Sequence, residues 1–290
     1  MLHGSLTALV TPFKNGAVDE AAFTRLIERQ IAAGTHGLVP AGTTGETPTL
    51  SVEERLRIVE LCVEVAAGRV PVVAGTGLNT TSGTIELQDH AKRVGADAGL
   101  VVAPYYNKPS QDGIAAHFKA VADAVALPIV VYNVPGRTIS DIQPETLARV
   151  AGHPNVTAVK DATGEVERVT IHRNLIGEDF IQLSGEDASA LGYNAHGGHG
   201  AISVTSNVAP ELCAQFQDAC RTGDWETARR LNDQLTPLHQ ALFAAPSPGP
   251  SKYALSLLGL CEPDVRLPLI EIPDAAKDQV RHAMEGCGLS

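Results

Sequence analysis

No stretch of this 290-residue chain approaches the roughly 20 consecutive apolar residues of a membrane-spanning helix, so no such helix is expected. Positive charge is scarce: 22 Lys and Arg face 33 Asp and Glu, a formal charge of −11. Such a surface repels nucleic acid and anionic membranes, and neither is expected as a partner. An anionic substrate stays open if its pocket carries fixed cations. Paired cysteine is lacking too. Cys62, Cys213, Cys220, Cys261 and Cys287 are odd in number, scattered and without a C-x-x-C spacing. That disfavours a disulfide framework or a zinc site and points to reduced thiols. Residues 1–14 lack the basic start and apolar core of a secretory leader, so a cytoplasmic location is expected. What is present, 44% hydrophobic and 19% charged residues, can fold around a large core.

Short apolar runs alternate with longer amphipathic stretches. The runs are Ser5–Phe13, Gly37–Pro40, Val70–Gly75, Gly99–Ala103, Pro128–Val134, Val156–Ala162, Phe180–Ser184 and Gly200–Thr205. Nearly continuous apolarity suits parallel strands covered on both faces. Between them, Glu20–Ala33, Val52–Ala67, Thr80–Val94 and Gly113–Ala126 read as helices, with Asp19 and Ser51 as caps before acidic first turns. Eight strand-then-helix units in about 220 residues predict an α/β fold, the (β/α)8 or TIM barrel. A doubly wound sheet would show a glycine-rich phosphate loop after its first strand, and Thr11-Pro12-Phe13-Lys14-Asn15-Gly16 is not one. Beyond Ser206 only helical patterns remain: Val208–Arg221, Asp224–Phe243, Ser251–Leu258 and Asp274–Glu285. The first closes the barrel. The division is thus a catalytic barrel over 1–223 and a small C-terminal helical extension over 224–290.

In such barrels the chemistry gathers at the C-terminal strand ends. Thr43-Thr44, Thr76-Gly77, Tyr105-Tyr106, Tyr132 to Arg137, Lys160 and Gly185-Glu186 all fall there. Alternation places Lys160 on the face of Val156 and Ala158, inside an apolar strand. Burial lowers a lysine's pKa, and a neutral amine can attack a ketone. A lysine salt-bridged at a strand end is the structural alternative. Tyr132 could pass protons if its phenol is hydrogen-bonded, with Thr43 and Tyr106 as links; a satisfied core tyrosine is the plainer reading. Gly42-Thr43-Thr44-Gly45-Glu46 is a glycine-bracketed turn running into a helix, able to cradle a carboxylate or to serve as an ordinary loop. Arg137, after Pro135-Gly136, could grip a carboxylate with both prongs or simply face solvent. His196-Gly197-Gly198-His199 invites a metal reading, but the glycines favour a turn and no third ligand clusters nearby, so no metal is assigned.

At these motifs the sequence resembles the dihydrodipicolinate synthase and N-acetylneuraminate lyase family of class I aldolases. The resemblance runs from Leu6-Thr7-Ala8-Leu9-Val10-Thr11-Pro12-Phe13 to Lys252-Tyr253-Ala254-Leu255. Its most specific parts are Gly42–Glu46, Pro104-Tyr105-Tyr106-Asn107-Lys108-Pro109, Tyr132–Thr138 and Val159-Lys160-Asp161-Ala162-Thr163-Gly164. It implies a lyase in which Lys160 forms a Schiff base with pyruvate and Thr43, Tyr132 and Tyr106 relay protons, Tyr106 coming from a dimer partner. It further implies that Thr44 binds the pyruvate carboxylate, that Gly185 and Ile202 line the site through their backbones, and that Arg137 receives L-aspartate 4-semialdehyde. The implied assembly is a homotetramer, a dimer of dimers, serving lysine and diaminopimelate biosynthesis with no cofactor. Arg137 distinguishes this reading from sialic acid lyases. Hydratase-aldolases and keto-deoxy sugar acid aldolases of the same family share the lysine and tyrosine. A metal-dependent barrel lyase or hydrolase using His196 and His199 is the rival from another class, and a dead effector-binding barrel is a third reading. In lysine-inhibited members a histidine- and glutamate-bearing cleft binds the effector. Here Asn79 and Tyr105 match that cleft, while Val52, Arg55 and Gly83 replace its polar contacts, so weak or absent feedback by lysine is expected.

Overall fold

Apolar runs rich in β-branched residues and too short for helices become eight parallel strands, none longer than its apolar stretch. The computed structural model describes residues 2–289. The strands are β1 (Gly4–Ala8), β2 (Gly37–Val39), β3 (Val73–Gly75), β4 (Ala98–Val102), β5 (Ile129–Asn133), β6 (Val156–Asp161), β7 (Ile181–Ser184) and β8 (Gly200–Ser203). They are hydrogen-bonded in the order β2-β1-β8-β7-β6-β5-β4-β3. A lone parallel bridge from Leu38 to Val72, helped by Gly75 N–H donating to Pro40 O at 2.9 Å, brings β2 to β3 and closes the ring. The chain is a TIM barrel.

Helices follow the strands in turn: α1 (Glu20–Ala32), α2 (Val52–Ala66), α3 (Thr81–Val94), α4 (Gln111–Ala124), α5 (Pro144–Ala151), α6 (Arg168–Ile176), α7 (Ala190–Ala195) and α8 (Pro210–Thr222). Asp19 caps α1 by accepting from Ala22 N–H, and Ser51 and Glu54 form a reciprocal capping box at α2. Each satisfies amide donors that the first helical turn leaves without partners. The first apolar run departs from expectation. Its strand stops at Ala8, and Phe13–Lys14 instead pairs antiparallel with Ala17–Val18 in a small hairpin.

Inward side chains, among them Leu6, Val39, Leu100, Val130, Ala158, Leu183 and Ile202, pack as one cluster inside the ring. Outward ones such as Val101, Val131 and Val159 pack against Phe118 and Leu147 of the helical layer. One expected facing is overturned here. Ile129 pairs with Val156 but Val130 pairs with Ala158, so β6 carries an extra residue at Thr157. Such a bulge reverses the alternation on one side of it. Val156 therefore joins the outer cluster, while Ala158 keeps the inner face with Tyr132 beside it.

The C-terminal segment folds into α9 (Trp225–Ala241), α10 (Gly249–Leu257) and α11 (Asp274–Gly286). One apolar cluster runs from Ala201 and Phe216 through Leu231, Leu235 and Leu238 to Val280 and Met284. Burying each of those leucines is worth about 1.5–3 kcal/mol, which holds α9 and α11 firmly against α8. Among the described residues no helix is long and apolar enough to cross a membrane.

Candidate active site

Lys160 is the penultimate residue of β6, with Tyr132 beside it on β5 and Leu183 on β7. It is 5% exposed, and its Nζ lies 4.2 Å from the centroid of the Tyr132 ring. Tyr132, Leu183 and Ile202 belong to the cluster that fills the ring, so the amine stands at the upper end of an apolar interior. Tyr132 also helps to line a cavity of about 490 Å³, sharing its wall with Thr43, Val134 and Arg137.

The turn that carries Thr43 and Thr44 does not run into a helix as expected. Thr43–Gly45 is one 3-10 turn, Thr47–Thr49 is another, and α2 starts only at Val52. Glu46, between the two turns, has φ of 54°, a left-handed conformation that no right-handed helix can pass through. Thr44 is buried and Thr43 half-buried. Thr11 Oγ1 donates to Gly45 O at 2.8 Å, and Thr47 Oγ1 to Ala41 O at 2.7 Å, which pins the turn from both sides.

Arg137 sits on the single helical turn Pro135–Thr138, exposed and without an ion-pair partner among the described residues. The loop beneath it is rigid. Thr138 Oγ1 donates to Val134 O at 3.1 Å and to Ser140 O at 2.9 Å. Asn133 Nδ2 donates to Asp141 Oδ1 at 2.8 Å, and the Arg168 guanidinium grips both Asp141 oxygens at 2.9 and 2.8 Å. Burial opposes the charge on Asp141, yet hydrogen bonds from Arg168 and Asn133 hold its carboxyl below the usual range. The free guanidinium above this frame is available to an anionic ligand.

Gly185 N–H donates to Asp161 O at 2.6 Å, and a Cβ at Gly185 would come within 2.6 Å of Ala162 Cβ. Only glycine allows these two strand ends to close on each other beside Lys160. Ile202, on β8, is 1% exposed within the ring. Of the expected site residues the cavity wall includes Thr43, Tyr132 and Arg137, and not Lys160, Thr44, Gly185, Ile202 or Tyr106; Tyr106 stands apart, with φ of 72° and 93% exposure.

The two histidines considered for a metal precede β8, at the opposite end of the barrel from Lys160. His199 Nδ1 accepts from Gln182 N–H at 3.1 Å, and burial keeps its pKa low. His196 is exposed beside Thr170. Both have local structural roles and neither approaches the rim chemistry.

The cavity extends beneath α2 and α3, past Val52, Arg55, Gly83, Glu86 and Tyr105. Arg55 is buried there and donates to Gly75 O at 2.9 Å and Gly77 O at 3.2 Å. Burial lowers its pKa to about 10, so the guanidinium is still cationic near neutral pH. Sequence reasoning missed three more residues that frame the site: Glu46, Lys252 and Arg266. Lys252 offers one hint, a lysine set among Tyr253, Ala254 and Leu255 on a helix after a proline-rich run.

A model of the dihydrodipicolinate synthetase family matches residues 1–286. A 4-hydroxy-tetrahydrodipicolinate synthase from Hyphomonas neptunium is 62% identical over 292 residues, covering 100% of both chains. The crystal structure of dihydrodipicolinate synthase from Aquifex aeolicus is similar with a TM-score of 0.97 at 42% identity, covering 99% of each chain. The chloride-inhibited dihydrodipicolinate synthase from Acinetobacter baumannii, complexed with pyruvate, is similar with a TM-score of 0.98 at 40% identity over 100% of each chain.

Proposed function

Because the chain belongs to the dihydrodipicolinate synthetase family, we propose that it is a lyase that condenses pyruvate with L-aspartate 4-semialdehyde, the 4-hydroxy-tetrahydrodipicolinate synthase reaction of lysine and diaminopimelate biosynthesis. The observation that carries the reading is a buried lysine amine over the face of a tyrosine, whose ring helps to line a cavity together with an unpaired arginine.

The Lys160 amine attacks the ketone carbon of pyruvate, and loss of water from the carbinolamine leaves an iminium. Tyr132 hands over the protons, with Thr43 as its link in the cavity wall. The iminium withdraws electrons from the adjacent methyl, which gives up a proton to become an enamine. That carbon bonds to the aldehyde carbon of the second substrate, whose oxygen takes a proton. The amine of the new product then attacks the iminium carbon, closes the ring and displaces Lys160. The lysine adduct is itself the electron sink, so the sequence of steps calls for no further group. Thr44 holds the pyruvate carboxylate, Gly185 and Ile202 flank the adduct through their backbones, and Arg137 meets the carboxylate of the semialdehyde.

Tyr106 completes the relay from a second copy of the chain, which accounts for an aromatic ring left in solvent on a left-handed residue. The assembly that follows is a cytoplasmic homotetramer built from two such dimers. The aldehyde decides between this reading and its family rivals. With pyruvate as common partner, a coupled assay should favour aspartate semialdehyde over sugar-derived aldehydes, and equal or reversed preference would overturn the assignment.

The cavity wall also predicts weak lysine feedback. An effector lysine brings ammonium groups, yet Arg55 presents a buried cation and Gly83 supplies no carboxylate. Glu86, one turn further along α3, is exposed and screened by solvent. L-lysine should leave the steady-state rate unchanged, and half-inhibition at modest concentration would contradict this account.

A further inference from the structure

Two residues in left-handed conformation bracket the Thr43–Thr44 turn: Ala41 at φ of 56° and Glu46 at 54°. A non-glycine residue held there costs on the order of 1–3 kcal/mol, so something must hold it. Glu46 is 3% exposed, and a buried carboxylate needs partners. Among the described residues, its side-chain partners come from the C-terminal segment. Lys252 Nζ, on the fully buried side chain of α10, stands 2.5 Å from Glu46 Oε1. Arg266 N–H donates to Glu46 Oε2 at 3.1 Å.

Both partners are themselves fixed. Lys252 Nζ donates to Asp264 O at 2.7 Å and lies 3.9 Å from the centroid of the Phe13 ring. The Arg266 guanidinium lies 4.2 Å from the same centroid and grips both oxygens of Glu54, each at 2.6 Å, and Thr49 O at 3.0 Å. On the other side, Glu46 N–H donates to Thr43 O at 3.1 Å, so displacing Glu46 displaces Thr43.

A buried ion pair stabilises a fold little more than apolar packing would, because removing two charges from water is costly. What this pair does supply is a fixed place for one carboxylate, directly after the two threonines. Nothing in the reaction steps above uses it. We propose that Glu46, clamped by Lys252 and Arg266, is a positioning residue that sets the Thr43–Thr44 turn for pyruvate, so that the C-terminal segment completes the active site from behind. The proposal deepens the assignment above and rests on it.

Glu46→Gln keeps the shape and removes the charge; Lys252→Met does so from outside the turn. The readout is the pyruvate concentration that half-saturates borohydride trapping, which needs no aldehyde. Both variants should raise it about tenfold, while the KM for the aldehyde, read by Arg137 on its separately braced loop, stays within about twofold. A purely structural role would lower the melting temperature and the active fraction and leave both constants alone; that result overturns the proposal. If neither variant folds, Arg266→Lys keeps the charge but loses the fork onto Glu54. A rise of about threefold then supports the proposal and an unchanged constant refutes it. Absence of trapping in the unaltered protein would count against the aldolase assignment instead.

Discussion

Replacing Lys160 with alanine should abolish covalent capture of pyruvate and cut turnover by a factor on the order of 10⁴–10⁶, the loss typical of removing a covalent nucleophile. The chain holds a second buried lysine, which makes the experiment sharper. Lys252 is 0% exposed, and its amine is committed to Glu46 and Asp264 O. Lys160 is also buried, but its amine lies over an aromatic face and has no ion-pair partner among the described residues. Borohydride reduction with pyruvate, followed by peptide mapping, should put the adduct on the Lys160 peptide and leave the Lys252 peptide unmodified. In Lys160→Ala neither peptide should carry it. Capture on any other lysine, or near-normal turnover of the variant, would remove the basis of the mechanism.

Tyr132→Phe should have the next largest effect. The substitution deletes only the hydroxyl, so the ring that packs 4.2 Å from the Lys160 amine remains. Losing a general acid–base group typically costs about 10²–10⁴ in rate. That loss should fall on kcat, with the KM for pyruvate little changed, because the proposed mechanism assigns the carboxylate to Thr44 and not to Tyr132. The melting temperature should also hold, since a phenylalanine fills the same apolar slot. A variant with full kcat would make Tyr132 a packing residue and shift the relay elsewhere.

The barrel was legible because its strands are short, apolar and regularly spaced, and because each is followed by a turn signal and a helical period. Lys160 stood out for the same reason: a charged letter at the end of such a run has few explanations. Local pattern was less informative where one residue breaks the period. Thr157 reverses the alternation, and Val156 ends up on the outer face, a change that no window of apolar letters reveals. The Gly42–Glu46 turn was misread for a related reason. Its shape depends on a carboxylate whose partner, Arg266, lies 220 residues away. Arg55 stands out in the sequence only as a changed cleft residue; that it is buried to satisfy the carbonyls of Gly75 and Gly77 depends on strand ends 20 residues and more away in sequence. Pairings across the chain are set by the closed ring, and they appear only once the ring exists.

The junction of β2 and β3, held by one bridge, has a bearing on which changes this protein tolerates. A side chain on Gly75 would drive straight into Ala41 O, at the base of the threonine turn. Even a single methyl would act as a wedge in the thinnest stave joint of the cask, prising it open on the side where the two threonines stand. Variation that reshapes this mouth must therefore enter through the outer loops, leaving that joint bare.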